Sequence, residues 1–185
     1  MKNDIYDNSW ALIIGIDKYQ HVQNLNYAVK DAESIQDVLM NTFDFPKRNI
    51  TLLKDKKATK NAIIRAFSDI TKKAKEKDRV IIYFAGHGET MDLPEGGEMG
   101  YLLPVDADDD LFVSAIAMDD LKRISLMSRA KHLLYLIDAC YGGIAAIGSR
   151  GLDAKTTPNY IDKITKNKAR QVITAGGRGE KVIEK

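Results

Sequence analysis

The sequence predicts an α/β protein, a three-layer α/β/α sandwich around a mostly parallel central sheet. Three observations predict it. Short segments dominated by apolar residues recur along the chain, among them WALIIGI at 10–16, RVIIYFA at 79–85 and LLYLI at 133–137. Strands buried on both faces of a parallel sheet read this way. Between them lie segments with apolar residues at helical spacing, the alternation that βαβ units produce. Finally, 185 residues with 44% hydrophobic and 29% charged content suit a single domain, residues 1–185, with one sizeable core.

The elements follow in order. Trp10–Ile16 is the first strand, and Asp17–Tyr27 carries turn-forming residues and reads as a loop. Ala28–Asn41 is a helix, because Val29, Ala32, Ile35, Val38 and Leu39 recur at helical spacing. Asn49–Leu53 is a short strand. Thr59 can accept a backbone N–H at a helix start, and that helix runs to about Lys77 with Ile63, Ile64, Phe67 and Ile70 inward. Arg79–Ala85 is a strand that stops at Gly86-His87-Gly88. An acidic segment bearing glycines follows, with one short extended piece at Tyr101–Pro104. Met118–Met127 reads as a helix. Lys131–Ile137 is a fourth strand, stopping at Asp138-Ala139-Cys140. A short helix over Tyr160–Lys168 and a fifth strand over Arg170–Thr174 complete the series.

Composition narrows the function. No apolar run approaches the ~18 residues of a membrane span, and the N-terminal MKNDIYDNSW has no apolar signal-peptide core. One cysteine excludes an internal disulfide. A cytoplasmic, reducing setting with no membrane partner is expected, where a thiol stays free. The net charge of +2 is unevenly spread. Residues 54–79 carry ten Lys/Arg against four Asp/Glu, which reads as a solvated helix face. No aromatic stacking pattern or nucleic-acid motif accompanies it, so no nucleic-acid partner is expected. Residues 89–120 carry ten Asp/Glu and no Lys or Arg, a surface that favours basic peptides or a metal ion. No Gly-Lys-Ser/Thr loop and no Gly-x-Gly-x-x-Gly follows the first strand, against a nucleotide-binding domain.

Ligands of an open parallel sheet bind outside the carboxyl ends of its strands. Two apolar strands end there with reactive residues: one delivers His87 between two glycines, the other Cys140 shortly before Gly142 and Gly143. Taken alone, Cys140 reads more readily as a small buried hydrophobe than as a nucleophile, and His87 as a turn residue as readily as a base. Together they match the needs of a thiol nucleophile, which requires a nearby base and donors for an oxyanion. His132 begins its strand, at the opposite edge of the sheet. His21 lies in the loop after the first strand and lacks the glycine setting.

The block Asp138-Ala139-Cys140-Tyr141-Gly142-Gly143, with His87 53 residues upstream, resembles the caspase-like cysteine proteases. Those carry Gln-Ala-Cys-x-Gly with a histidine about 50 residues upstream. Within them it is similar to the metacaspases and prokaryotic caspase homologues. The likeness extends to ALIIGIDKY (11–19), LNYAVKDA (25–32), IIYFAGHG (81–88), YLLPVD (101–106) and QVITAGG (171–177), in the right order. It implies the caspase-like form of the α/β fold and an endopeptidase working through an acyl-enzyme. By the same resemblance Cys140 is the nucleophile and His87 the general acid/base. The backbone N–H groups of Gly88 and Cys140 form the oxyanion hole, and no third acidic residue is required.

Caspases that cleave after aspartate carry glutamine two residues before the cysteine; this chain has Asp138 there. In metacaspases that position lines the primary specificity pocket, and the second pocket acid matches Asp31. Two carboxylates repel an aspartate side chain and accept a guanidinium through paired, charge-assisted bonds. Protein or peptide substrates cleaved after Arg, with Lys accepted, are therefore expected. On spacing alone, Asp31 also reads as an exposed helix residue and Asp138 as a cap on the loop after its strand.

Many metacaspases need calcium. A calcium dependence would draw on Asp92, Glu95, Glu98, Asp106, Asp108, Asp109 and Asp110, yet no calcium-loop motif appears. A solvated acidic surface is the simpler reading, so no metal and no cofactor are expected. In these proteases the strand matched by Gln171–Gly177 is followed by a small-subunit strand and helix. The expectation is therefore a large-subunit portion, completed by a C-terminal small subunit or a fused regulatory domain. Arg150, Lys155 and Lys185 are candidate self-processing sites. The competing reading is a catalytically inactive caspase-like interaction or scaffold module, or an inactive fragment that needs its small subunit.

Overall fold

The computed structural model of the chain describes residues 5–139 and 167–175. Along the chain the elements are β1 (Ser9–Gly15), α1 (Ala28–Asn41), β2 (Ile50–Lys54), α2 (Lys60–Lys73) and β3 (Arg79–Ala85). Then come β4 (Gly88–Asp92), β5 (Glu98–Leu102), α3 (Leu111–Ser114), β6 (Ile116–Ala117), α4 (Met118–Met127), β7 (His132–Asp138) and β8 (Ala169–Thr174).

Five strands form the main sheet in the order β2-β1-β3-β7-β8, and every pair is parallel. The inner strands β1 and β3 are nearly continuous buried runs, because helices cover both of their faces. On one face α1 lays Ala28, Ala32 and Leu39 against Ala11, Ile13, Tyr83 and Ala85. On the other, Ile63, Phe67 and Ile70 of α2 and Leu121 of α4 pack with Leu12, Ile14, Ile82, Phe84 and Tyr135. The expected three-layer sandwich is the observed one, with strand bounds displaced by a single residue.

The helix expected to reach Lys77 ends at Lys73. Asp78 stops it. Its carboxylate accepts the Lys75 N–H at 2.9 Å, and its own N–H donates to the Lys75 carbonyl at 3.0 Å. That tight turn removes the chain from helical geometry. The start of α2 is as expected, with Thr59 Oγ1 accepting from Ala62 N at 3.2 Å.

The acidic segment holds more structure than the one extended piece expected at 101–104. β4, β5 and β6 form a second, antiparallel sheet. The β4–β5 connection passes through Gly96 and Gly97 at φ +90° and +94°, a region glycine occupies without strain. Gly88–Asp92 is polar and mostly half-buried or exposed, so it lacks the apolar alternation that marks a strand.

The amino edge of the main sheet is tied together by Asp78, which is 1% exposed. Its carboxylate accepts from Asn8 Nδ2 at 3.2 Å, Trp10 Nε1 at 3.0 Å and Lys75 N. Its carbonyl accepts from Lys131 N at 2.8 Å. Farther along, the Arg170 guanidinium donates to the carbonyls of Ser128 and Ala130 at 3.0 and 2.9 Å. It thereby pins β8 to the turn that enters β7.

Asp78→Ala leaves the Trp10 and Asn8 donors without this acceptor. The expected loss is ~3 kcal/mol, or a Tm lower by roughly 6–12 °C for a domain of this size. Thermal denaturation followed by circular dichroism checks this, and a Tm within ~2 °C of wild type contradicts it.

Candidate active site

The carboxyl edge of the sheet is set by the register of β3 against β7, in which Ala85 stands opposite Asp138. Beyond that pair, Gly86 N donates to the Asp138 carbonyl at 3.2 Å. Gly86 is buried, and a Cβ there would meet the Tyr19 hydroxyl at 2.5 Å and the Phe84 ring at 3.1 Å. Only glycine lets the chain pass under Tyr19 and turn outward into His87.

Tyr19 then holds that turn. Its hydroxyl accepts the His87 backbone N–H at 2.8 Å, and the two rings sit 4.9 Å apart. Burial pushes the Tyr19 phenol well above its ordinary range. The His87 N–H bond opposes that shift, and the charges of Asp17 and Asp55 add to it. The ring therefore stays a neutral phenol. His87 Nε2 lies 2.8 Å from the carbonyl oxygen of Gln23. A carbonyl only accepts, so Nε2 carries the proton and Nδ1 of the neutral ring keeps a bare lone pair. Gly88 faces Leu102 across β4 and β5. The neighbouring pair, His87 with Leu103, is joined by Leu103 N to the His87 carbonyl at 3.0 Å. Antiparallel alternation thus makes Gly88–Leu102 a pair in which neither N–H donates to the other residue's carbonyl.

His87, Asp31 and Asp138 line one cavity of about 760 Å³, together with Gln23, Gly86 and Ala139. The sequence readings of Asp31 as an exposed helix residue and as a pocket acid part here. Asp31 is half-buried and contributes wall to the same space as Asp138. Beneath them lies Tyr83, 6% exposed, whose hydroxyl donates to Asp138 Oδ2 at 3.4 Å. Burial raises the Tyr83 phenol well above its usual range, and the charges of Asp138 and Asp31 raise it further.

Other expected residues fall elsewhere. Cys140, the presumptive partner of His87, lies outside the described residues, as do Arg150, Lys155 and Lys185; the described chain reaches Ala139 at the cavity wall. His132 is at the opposite edge, its Nδ1 bonded to the Tyr6 hydroxyl and its Nε2 to the Asn167 carbonyl. Several acids of the 89–120 segment serve the local backbone. Asp106 accepts from Lys60 N, Asp108 from Asp110 N, and Asp110 from Val113 N. Among the described residues, no group of three or more His, Cys, Asp or Glu converges as a metal site would require.

Sequence reasoning missed Tyr19, Gln23 and Tyr83. Gln23 acts through its carbonyl, which every residue has, so no side-chain pattern could mark it. Tyr19 and Tyr83 stand inside segments already singled out, ALIIGIDKY and IIYFAGHG. For Tyr83, a polar tip near the end of an apolar strand was the available signal; Tyr19, in the loop after β1, offered none.

A parallel sheet covered on both faces, with a glycine-flanked histidine at its carboxyl edge, defines a caspase-like α/β domain. The caspase domain pattern matches residues 8–178, and the chain belongs to that family. Among its relatives, Metacaspase-1A of Aspergillus oryzae is 30% identical over 149 residues, which cover 73% of this chain and 34% of the relative. Metacaspase-2 of Arabidopsis thaliana is 27% identical over 152 residues, 75% of this chain and 35% of the relative. The chain thus spans about a third of the length of these metacaspases. A crystal structure of a protein from Geobacter sulfurreducens shares the fold, with TM-score 0.60 and 20% identity over 74% of this chain and 52% of that one.

Two-dimensional 1H–15N NMR of the imidazole ring checks the Gln23 contact. Neutral His87 is expected to carry its proton on Nε2, and the opposite tautomer contradicts the arrangement.

Proposed function

We propose that this chain is the catalytic part of a cysteine endopeptidase that cleaves protein substrates after Arg, and after Lys, through Cys140 and His87. One observation carries the reading. The imidazole of His87 and the carboxylates of Asp31 and Asp138 share one cavity, and Ala139, which also lines it, is covalently bonded to Cys140.

The chemistry follows from those positions. A basic side chain of the substrate enters between Asp31 and Asp138, where a guanidinium finds paired acceptors. The Cys140 thiolate attacks the carbonyl carbon of the scissile bond. Charge gathering on the carbonyl oxygen is met by backbone N–H groups of Gly88 and Cys140. The proton lost by the Cys140 thiol passes to Nδ1 of His87, which delivers it to the departing amine as the C–N bond breaks, leaving an acyl-enzyme that water hydrolyses. The Gln23 carbonyl suits this role. It accepts from Nε2 at 2.8 Å and so orients the ring.

The wider setting belongs to the same reading. A reducing, cytoplasmic compartment keeps the single thiol free. Among the described residues, no helix is long and apolar enough to cross a membrane. Cleavage of the chain by its own kind after Arg150 or Lys155 fits the proposed specificity.

Fluorogenic peptides ending in Arg, Lys or Asp test the proposal. Cys140→Ala should abolish turnover. Asp138→Ala should lower kcat/KM for the Arg peptide ~100-fold, while iodoacetamide still alkylates Cys140. Undiminished Arg cleavage in that variant contradicts the pocket.

A further inference from the structure

We infer that Tyr83 is a positioning residue that sets the preference for Arg over Lys, by donating its hydroxyl to Asp138 Oδ2 and so orienting that carboxylate towards the cavity. The inference rests on the basic-residue pocket proposed above and extends it to a residue that does not line the cavity.

Tyr83 stands opposite Ile13 on one side and Leu136 on the other, on the face covered by α1. That helix presents Ala28 and Ala32 there, both nearly inaccessible. Small residues leave room for a phenol to lie between helix and sheet, with its hydroxyl towards the carboxyl edge. Asp138 stands two residues further along the sheet, because its opposite number in β3 is Ala85. The 3.4 Å contact from Tyr83 Oη to Asp138 Oδ2 follows from this stagger.

A tyrosine buried among alanines and isoleucine has no structural need for a hydroxyl; phenylalanine would fill the same space. Here the hydroxyl faces a carboxylate, which only accepts. Burial and the two nearby aspartates hold the proton on the phenol, so the direction of the bond is fixed. One oxygen of Asp138 is then engaged from below, which restricts rotation of the carboxylate about its terminal torsion.

Orientation matters differently to the two basic side chains. A guanidinium is a planar fork and gains most when it meets a carboxylate held in the matching plane. An ammonium is a compact charge with three rotatable donors, and it tolerates a carboxylate in any plane. A donor that fixes the plane of Asp138 therefore favours Arg and contributes little to Lys.

Tyr83→Phe tests this, since it removes one oxygen and keeps the ring. KM for the Arg peptide should rise ~5- to 10-fold with kcat within ~2-fold of wild type. The Lys peptide should change less than ~2-fold, so the Arg/Lys ratio in kcat/KM falls by about the size of the KM effect. In an Asp138→Ala background, which removes the acceptor, Tyr83→Phe should have no further effect on that ratio. An unchanged Arg/Lys ratio in the single variant, or an equal loss for both peptides, overturns the role of Tyr83. If Asp138→Ala itself leaves Arg cleavage intact, the pocket reading fails instead, and this inference fails with it.

Discussion

The parallel pairing of β3 with β7 constrains everything at the functional edge. With Ala85 opposite Asp138, both strands leave the sheet at the same level. His87 is the second residue past one strand-end partner, and Cys140 the second past the other. A slip of one residue would turn each side chain to the opposite face. The hydrophobic load on both faces forbids such a slip, because Val80, Ile82 and Phe84 face α2 while Tyr83 and Ala85 face α1. The core thus sets the register, and the register sets the site.

The two edges of the sheet divide the work. At the amino edge, Asp78 satisfies donors from the segment entering β1, from the end of α2 and from the turn into β7. Arg170 fastens β8 to carbonyls beside that same turn. These networks centre on the buried Asp78 and the half-buried Arg170, and they tie neighbouring segments together. At the carboxyl edge the polar groups converge on an open cavity. The loop after β1 supplies Tyr19 and Gln23, α1 supplies Asp31, and the ends of β3 and β7 supply His87 and Asp138. Rigid strands carry the groups that must be exact in position, and one loop orients the imidazole.

What could be read from the sequence followed the physics that leaves a periodic mark. The parallel strands announced themselves as apolar runs, and α1 and α2 as apolar spacing with Thr59 as a cap. The β4–β5 hairpin left no such mark, because its first strand is polar and its turn relies on two adjacent glycines in a segment already rich in turn residues. The end of α2 depended on Asp78 capturing Lys75, a contact no helical periodicity contains. His87, Asp31 and Asp138 were singled out because the family resemblance attaches to side chains at recognisable positions, and all three line one cavity. Gln23 was not, since its contribution is a carbonyl. Asp31 was open to two readings; α1, packed against β1 and β3, leaves it half-buried on the wall that Asp138 also forms.

The central claim is that Cys140 and His87 act together beside an acidic pocket. Labelling with an arginyl peptide chloromethyl ketone, followed by intact mass and peptide mapping, tests it most directly. The account predicts a single adduct on Cys140 that forms much faster than with the matching aspartyl reagent and slows when His87 is replaced by alanine. Equal labelling by both reagents, or labelling indifferent to His87, would contradict it.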